Sequence, residues 1–211
     1  TRHLTPNWTI SQNMRYAHLD LDHRFVTTTA LSANDESITR RALRQSANYN
    51  NVTLDTRSDV TFHTGPVHHD ILFGVDFRSD FIATRRGQRN VSSLNLYNPV
   101  YTTIAWPTYA TTTNSNETET DTGIYAQEQA TWRHFYLTLS GRGDFTQSLT
   151  VNNLTNDKTP QRNNAFTGRV GLLYQTEFGL NPYVSYATSF QPQVGLTYDN
   201  TLYQPTFGTQ T

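Results

Sequence analysis

The sequence predicts an all-β fold: an antiparallel transmembrane β-barrel segment of about seven meander strands belonging to a larger barrel. Three observations predict it. Apolar and polar side chains alternate at period two over most of the chain. The connections between alternating stretches are short and long by turns. Aromatics reach 12%, with 12 Tyr and 11 Phe, against a hydrophobic fraction of only 35%. That balance suits a thin, aromatic-bordered apolar band whose opposite face is wet.

The alternation begins with Trp8, Ile10, Met14 and Tyr16 set against Thr9, Ser11, Asn13 and Arg15. Val52, Leu54, Val60 and Phe62 then oppose Thr53, Asp55, Arg57, Asp59, Thr61 and His63. From Val67, one face carries Ile71, Phe73, Val75, Phe77 and Phe81 and the other Asp70, Gly74, Asp76, Arg78 and Asp80, with His69 and Leu72 as exceptions. Phe135, Leu137, Leu139 and Phe145 alternate with Tyr136, Thr138, Ser140, Arg142 and Asp144. Phe166, Val170, Leu172 and Tyr174 alternate with Thr167, Arg169, Gln175 and Glu177, and Val184, Tyr186 and Phe190 with Tyr183, Ser185 and Ser189. Two stretches, Ser37 to Tyr49 and Gly123 to Trp132, alternate less cleanly and are placed by spacing and turn signals.

Short turns are expected at Thr64-Gly65-Pro66, Arg133-His134 and Glu177-Phe178-Gly179-Leu180. Longer polar links are expected at Leu31 to Glu36, Arg85 to Asp121, Ser148 to Asn163 and from Gln191 onward. Outer-membrane barrels place short turns on the periplasmic rim and long loops outside. A soluble sandwich or barrel also alternates, but seldom needs a link as long as Arg85 to Asp121.

Composition excludes other classes. With 16 basic and 17 acidic residues the net charge is −1, so no basic field exists to gather nucleic acid. There is no cysteine, hence no thiolate metal site or thiol nucleophile. No apolar run approaches the roughly 18 residues of a membrane helix. His68 and His69 are adjacent in a strand, face opposite ways, and lack a spaced histidine or acidic partner, so no metal site is expected. Five Asn-x-Ser/Thr sequons read as chance matches in Thr- and Asn-rich sequence. No nucleophile elbow or phosphate loop appears, and no enzyme, catalytic residue or bound cofactor is expected. The sequence begins in polar, strand-like residues and stops inside a Tyr/Pro/Thr stretch, and residues 1–211 read as a fragment of a single barrel domain.

Several segments resemble one family in its own order. His68-His69-Asp70-Ile71-Leu72-Phe73-Gly74-Val75-Asp76-Phe77, after Thr64-Gly65-Pro66-Val67, resembles a strand of TonB-dependent siderophore receptors together with the turn that precedes it. Leu96-Tyr97-Asn98-Pro99-Val100-Tyr101 is similar to an element of the following outer loop, and Gly123-Ile124-Tyr125-Ala126-Gln127-Glu128-Gln129 to the next strand. Ser140-Gly141-Arg142-Gly143-Asp144 matches with Gly143 where an aromatic is usual. Ala165 to Tyr174 and Pro182 to Pro192 match closely.

The resemblance implies an outer-membrane receptor for ferric siderophores, with an N-terminal plug inside a barrel of roughly 22 strands. It implies outer-membrane lipid, the plug, the TonB complex and the ferric siderophore as partners, with the plug and the closing strands outside this stretch. The transported chelate, not a resident cofactor, is the ligand. Arg57, Asp76, Arg78, Arg142, Asp144 and Arg169 would point into the lumen and form a network of paired charges along its wall. Ligand contact is expected in the outer loop, at Arg86, Arg89, Tyr97, Tyr101, Trp106 and Tyr109, with Arg85 beside them. Aromatic faces and guanidinium groups suit a planar or anionic chelate. A passive diffusion porin is the alternative, and a soluble β-sandwich carbohydrate module a third class.

Overall fold

The computed structural model describes residues 1–108, 112–193 and 204–211. Within them nine strands follow one another: β1 (Arg2–Thr5), β2 (Trp8–Leu31), β3 (Ser37–Thr64), β4 (Val67–Asn95), β5 (Thr113–Trp132), β6 (Phe135–Asn152), β7 (Lys158–Tyr174), β8 (Tyr183–Gln191) and β9 (Thr206–Gln210). Each pairs antiparallel with the next, so chain order and sheet order coincide. No helix occurs among the described residues. The expected meander is present with nine strands instead of about seven. The short β1 and β9 lie at its two edges, where four or five residues show too few alternations to be read from sequence.

Directly opposed residues in an antiparallel pair share a face, and the register carries each face across the sheet. One row runs Met14, Leu54, Phe77, Thr122 and Phe145. The row on the opposite face runs Asn13, Asp55, Asp76, Gly123 and Asp144. Phe73, Val75, Phe77 and Phe81 are exposed on the first face, while Gly74 and Asp80 on the second are buried. Ala42 and Leu43 are the buried apolar side chains among the described residues. A sheet with so little core places its apolar side chains outward, as a barrel wall in lipid does. Two outward polar pairs lie in the band: the Trp8 indole N–H donates to Ser58 Oγ at 2.7 Å, and Gln12 donates to Thr56 Oγ1 at 3.0 Å.

Three two-residue turns lie on one rim, at 6–7, 65–66 and 133–134. Gly65 takes a positive φ of 57° ahead of Pro66, an arrangement that closes a tight hairpin with Gly at the first central position. Arg133 adopts φ 53° in the third turn, its guanidinium 5.4 Å from the Trp132 ring centre. The connection expected around Glu177 to Leu180 is longer, since β7 ends at Tyr174 and β8 begins at Tyr183.

The opposite rim differs most from expectation. The link placed at Arg85 to Asp121 is mostly sheet: β4 continues to Asn95, β5 starts at Thr113, and Arg85 and Arg86 pair with Asn114 and Thr113. The link placed at Ser148 to Asn163 shrinks to 153–157. Beyond the membrane both faces of a strand meet water, so the sheet continues on backbone hydrogen bonds without alternating hydrophobicity. The periodicity that marks a strand is lost while the strand goes on. Residues 194–203, within the link expected after Gln191, lie outside the described residues.

Candidate functional site: the lumen wall

Two interactions of the same design organise the inward face. Tyr125 on β5 lies across Gly74 on β4 and donates its hydroxyl to Asp55 Oδ1 on β3 at 2.7 Å. Arg142 on β6 lies across Gly123 on β5 and donates to both carboxylate oxygens of Asp76 on β4, at 2.5 and 3.1 Å. Each side chain spans an intervening strand, and each needs the glycine beneath it. A Cβ at Gly123 would stand 2.1 Å from Arg142 Nη2, and one at Gly74 2.6 Å from the Tyr125 hydroxyl oxygen. Arg142 also donates Nε–H to Asp144 at 2.7 Å, and its guanidinium carbon lies 5.9 Å from the Tyr125 ring centre.

Towards the outer rim a second cluster forms around Arg78. It pairs with Glu119 at 2.5 Å, Asp80 at 3.3 Å and Asp121 at 3.9 Å. Asp80 is buried and accepts from the Tyr49 hydroxyl and Asn51 Nδ2, each at 2.6 Å. Burial followed by the Asp80 charge pushes the Glu117 carboxyl up. Glu117 and Tyr49, both opposite Ile82, lie beyond Phe81 at the outer end of the apolar row, and the Tyr49 hydroxyl is pushed up by its bond to Asp80.

Of the lumen charges expected from sequence, Asp76, Arg78, Arg142 and Asp144 join these clusters, and Arg57 faces Asp59 at 3.8 Å. Arg169 stands apart: exposed, it has no hydrogen bond or ion pair among the described residues. The Asp55, Tyr125, Tyr49 and Asn51 contributions escape a strand-by-strand reading. The signal that finds them is the inward parity of each strand carried across the register.

Three hollows line the same wall end to end. The outermost, 630 Å³, is bordered by Arg78, Asp121 and Arg142. The next, 600 Å³, shares Arg142 and Thr167 with it and reaches Arg169. The third, 460 Å³, shares Arg169 and runs past Gly171 and Ser185 to Tyr183 and Asn181 at the inner rim.

The loop residues expected to contact ligand are dispersed. Arg86 lies inward on β4 and donates to Gln45 Oε1 at 2.8 Å, while Arg89, opposite Ala42, has the outward parity. Tyr97 and Tyr101 are 80% and 78% exposed, and Trp106 is half-buried. Tyr109 lies outside the described residues. The loop returns over the sheet at Gly87, where a Cβ would meet the Thr108 carbonyl oxygen at 2.2 Å.

The histidines do acquire acidic partners, contrary to the sequence reading. His69 meets Glu128 at 2.7 Å on the outward face, and His68 meets Asp70 at 3.2 Å on the inward face. Glu128 is distant in sequence but opposes Ile71, one diagonal step from His69. Each histidine gains a single carboxylate, and no group of three metal-ligating side chains forms among the described residues.

On the outward face above Tyr16, a polar chain crosses β2 and β3. The Tyr16 hydroxyl donates to Asn50, which also contacts His18 at 2.8 Å; His18 meets Asp20 at 2.9 Å, and Asn48 donates to Asp20 at 2.7 Å. Asp22 accepts from Arg44 and Arg24, which hold its carboxyl well below the usual carboxylate range. The bonds to Asn50 and then Asp20 raise the His18 pKa, and those from Asn48 and then His18 lower that of Asp20.

Comparison with known proteins agrees with this architecture. Residues 1–211 match the family model described as TonB dependent receptor-like, beta-barrel. The chain is 33% identical over 167 residues to the ferrichrome outer membrane transporter/phage receptor of Escherichia coli (strain K12), covering 76% of this chain and 22% of that protein. It is 27% identical over 210 residues to the ferrioxamine B receptor of Salmonella typhimurium (strain SL1344), covering 99% of this chain and 30% of that protein. It therefore spans less than a third of these relatives. In fold it resembles the siderophore receptor PiuA from Acinetobacter baumannii, with a TM-score of 0.83 at 16% identity over 98% of this chain and 34% of that one. The ferric-catecholate import receptor Fiu from E. coli K12 gives 0.79 at 20% identity over 98% and 35%.

Proposed function

Because the chain belongs to the TonB-dependent receptor β-barrel family, whose members reside in the bacterial outer membrane, we propose that it forms wall and outer loops of a receptor that takes up a ferric siderophore. The observation that carries this reading is the inward face. Its charges are drawn into paired, strand-spanning clusters around Arg142 and Arg78, which suits a wall facing other protein across a narrow wet gap better than one bordering a wide aqueous channel. The names of the relatives, a ferrichrome transporter and a ferrioxamine receptor, support a receptor over a diffusion porin.

In this reading residues 1–211 are a stretch of one barrel domain. Elsewhere in the whole protein a plug fills the lumen, and the TonB complex supplies the pull that admits the ligand. The exposed Tyr97 and Tyr101, with Arg86, Arg89, Trp106 and Tyr109 nearby in sequence, supply aromatic faces and cations for the chelate. The segment itself holds no cofactor and performs no covalent chemistry; the ferric chelate is cargo.

The test is growth of an iron-starved host, with and without the complete gene, on defined ferric hydroxamates, catecholates and citrate. Gene-dependent growth on at least one chelate is expected. Equal growth with and without the gene on all of them would overturn the proposal.

A further inference from the structure

The three hollows of the inward face form one furrow. It begins between Arg78 and Arg142, passes Arg169 and ends at the inner rim beside Asn181. Its depth comes from what the wall lacks. Gly171 on β7 and Ser185 and Ala187 on β8 present almost no side chain inward, and they follow the inward row next to Thr167 and Arg169. The larger side chains on the neighbouring strands are held flat: Arg142 is pinned across Gly123, and Tyr125 across Gly74. The relief of the wall is therefore low along one lengthwise strip, while Tyr125 and Arg142 stay against its border.

The furrow is lined by polar and apolar surface side by side and is unevenly charged. Arg142 is more than balanced by Asp76 and Asp144, and Asp55 and Asp121 add further carboxylates to the outer and middle hollows. Arg169, where the middle and inner hollows meet, is an exposed guanidinium with no partner among the described residues. A free guanidinium part-way along such a groove engages oxygen-rich or anionic surfaces by charge-assisted hydrogen bonds. Being exposed, it can let them go again, as a transit site must.

We propose that this furrow is the route by which the ligand crosses the lumen, between the wall and whatever fills the barrel, with Arg169 as the residue it engages in passing. This rests on the uptake function proposed above and deepens it. The cargo is a compact ferric chelate bearing oxygen donors on its surface, neutral or negative in charge. Arg142 and Tyr125 are positioning residues that keep their own bulk out of the path.

The experiment uses the complete receptor in cells, reading outer-membrane level, binding of an iron-labelled chelate with the proton gradient collapsed, and energised accumulation of the label. Gly171→Phe fills the inner hollow, where a Cβ has only ordinary contacts at 3.6 Å with Ser185 and 3.8 Å with Val184. Ser185→Phe fills it from the facing strand. Arg169→Gln removes the cation at an exposed site and carries little risk to folding. Gly143→Phe, on the outward face, places the same bulk outside the lumen.

Binding is expected to stay near wild type in all four. Accumulation should fall roughly tenfold or more in the two filled variants and several-fold in Arg169→Gln, with Gly143→Phe unchanged. The decision rests on Arg169→Gln together with whichever filled variant reaches the membrane at the wild-type level. Wild-type accumulation in Arg169→Gln or in such a filled variant would overturn the furrow. A wild-type receptor that accumulates none of the chelates would instead overturn the uptake function, which separates the two failures.

Discussion

Arg142 and Asp76 are joined across an intervening strand, and the strand between them contributes a glycine at the crossing point. Tyr125 and Asp55 repeat the arrangement one strand earlier over Gly74. A side chain that reaches two strands away ties three staves together, which the backbone ladder, linking only neighbours, cannot do. The partner carboxylate is matched to a glycine in each case, so the wall is fastened without raising its surface.

Filling either crossing should loosen the wall, and unequally. At Gly123→Ala the obstruction is the flexible end of Arg142, which can swing away at the loss of a partly exposed ion pair. At Gly74→Ala the new Cβ also meets the Thr56 backbone oxygen at 2.7 Å, which cannot move without the ladder. The expected losses are about 1 kcal/mol for Gly123→Ala and about 2–3 kcal/mol for Gly74→Ala. Urea titration of the purified receptor in detergent gives the order, and a larger effect at Gly123 would contradict it.

Phe73 is 46% exposed on the outward face, midway along the apolar row of β4. Phe73→Arg places a charge in hydrocarbon and should lower stability by about 2–4 kcal/mol near the midplane. Reduced amounts of folded receptor in the outer membrane are expected. Wild-type levels would show that the facing of β4 is reversed.

The chain of hydrogen bonds above Tyr16 should respond to pH through His18. Its folded pKa is raised, so the contribution is fully present below the ordinary value and is lost as pH rises through the raised one. Asp22 runs the other way: its pKa is depressed, so its contribution holds at neutral pH and disappears only in strong acid. Amide protection in β2 just beyond Tyr16 should therefore drop as pH rises above the ordinary histidine value of 6.5. His18→Gln should abolish that drop; an identical drop in the variant would place its origin elsewhere.

Tyr97 and Tyr101 expose large aromatic surfaces to solvent. Replacing both with Ala should weaken binding of the cognate ferric chelate by roughly tenfold, near 1.4 kcal/mol, while leaving the amount of folded receptor unchanged. Equilibrium binding to whole cells checks this, and an unaltered affinity would remove both residues from the ligand surface.

The membrane-embedded half of each strand was legible in the sequence because lipid demands apolar side chains at every second position. Phe73, Val75 and Phe77 announce both the strand and its facing. The outer half was not, because Thr118, Glu119 and Thr120 alternate nothing that water distinguishes. The alternation accordingly stops near Arg85 and Ser148 while the strands run on to Asn95 and Asn152. The lumen charges on β4 and β6 were visible from parity alone. Their partners were not: Asp55 and Tyr125 lie 70 residues apart, and only the register brings them together. His69 and Glu128 were missed for the same reason, being diagonal neighbours on strands that alternate with different clarity.

The length of β3, 28 residues, corresponds to about 90 Å of extended chain against a hydrocarbon layer of about 30 Å. One continuous strand thus passes through two selective environments. In its inner part an outward polar side chain stands only where a partner meets it, as Ser58 meets Trp8 and Thr56 meets Gln12, so the sequence there is constrained on every second residue. In its outer part the ladder is upheld by main-chain bonds, and most side chains can change without breaking it. A barrel built this way can vary its outer surface along the very strands that anchor it. The part of the barrel that reaches farthest from the membrane is also the part freest to drift.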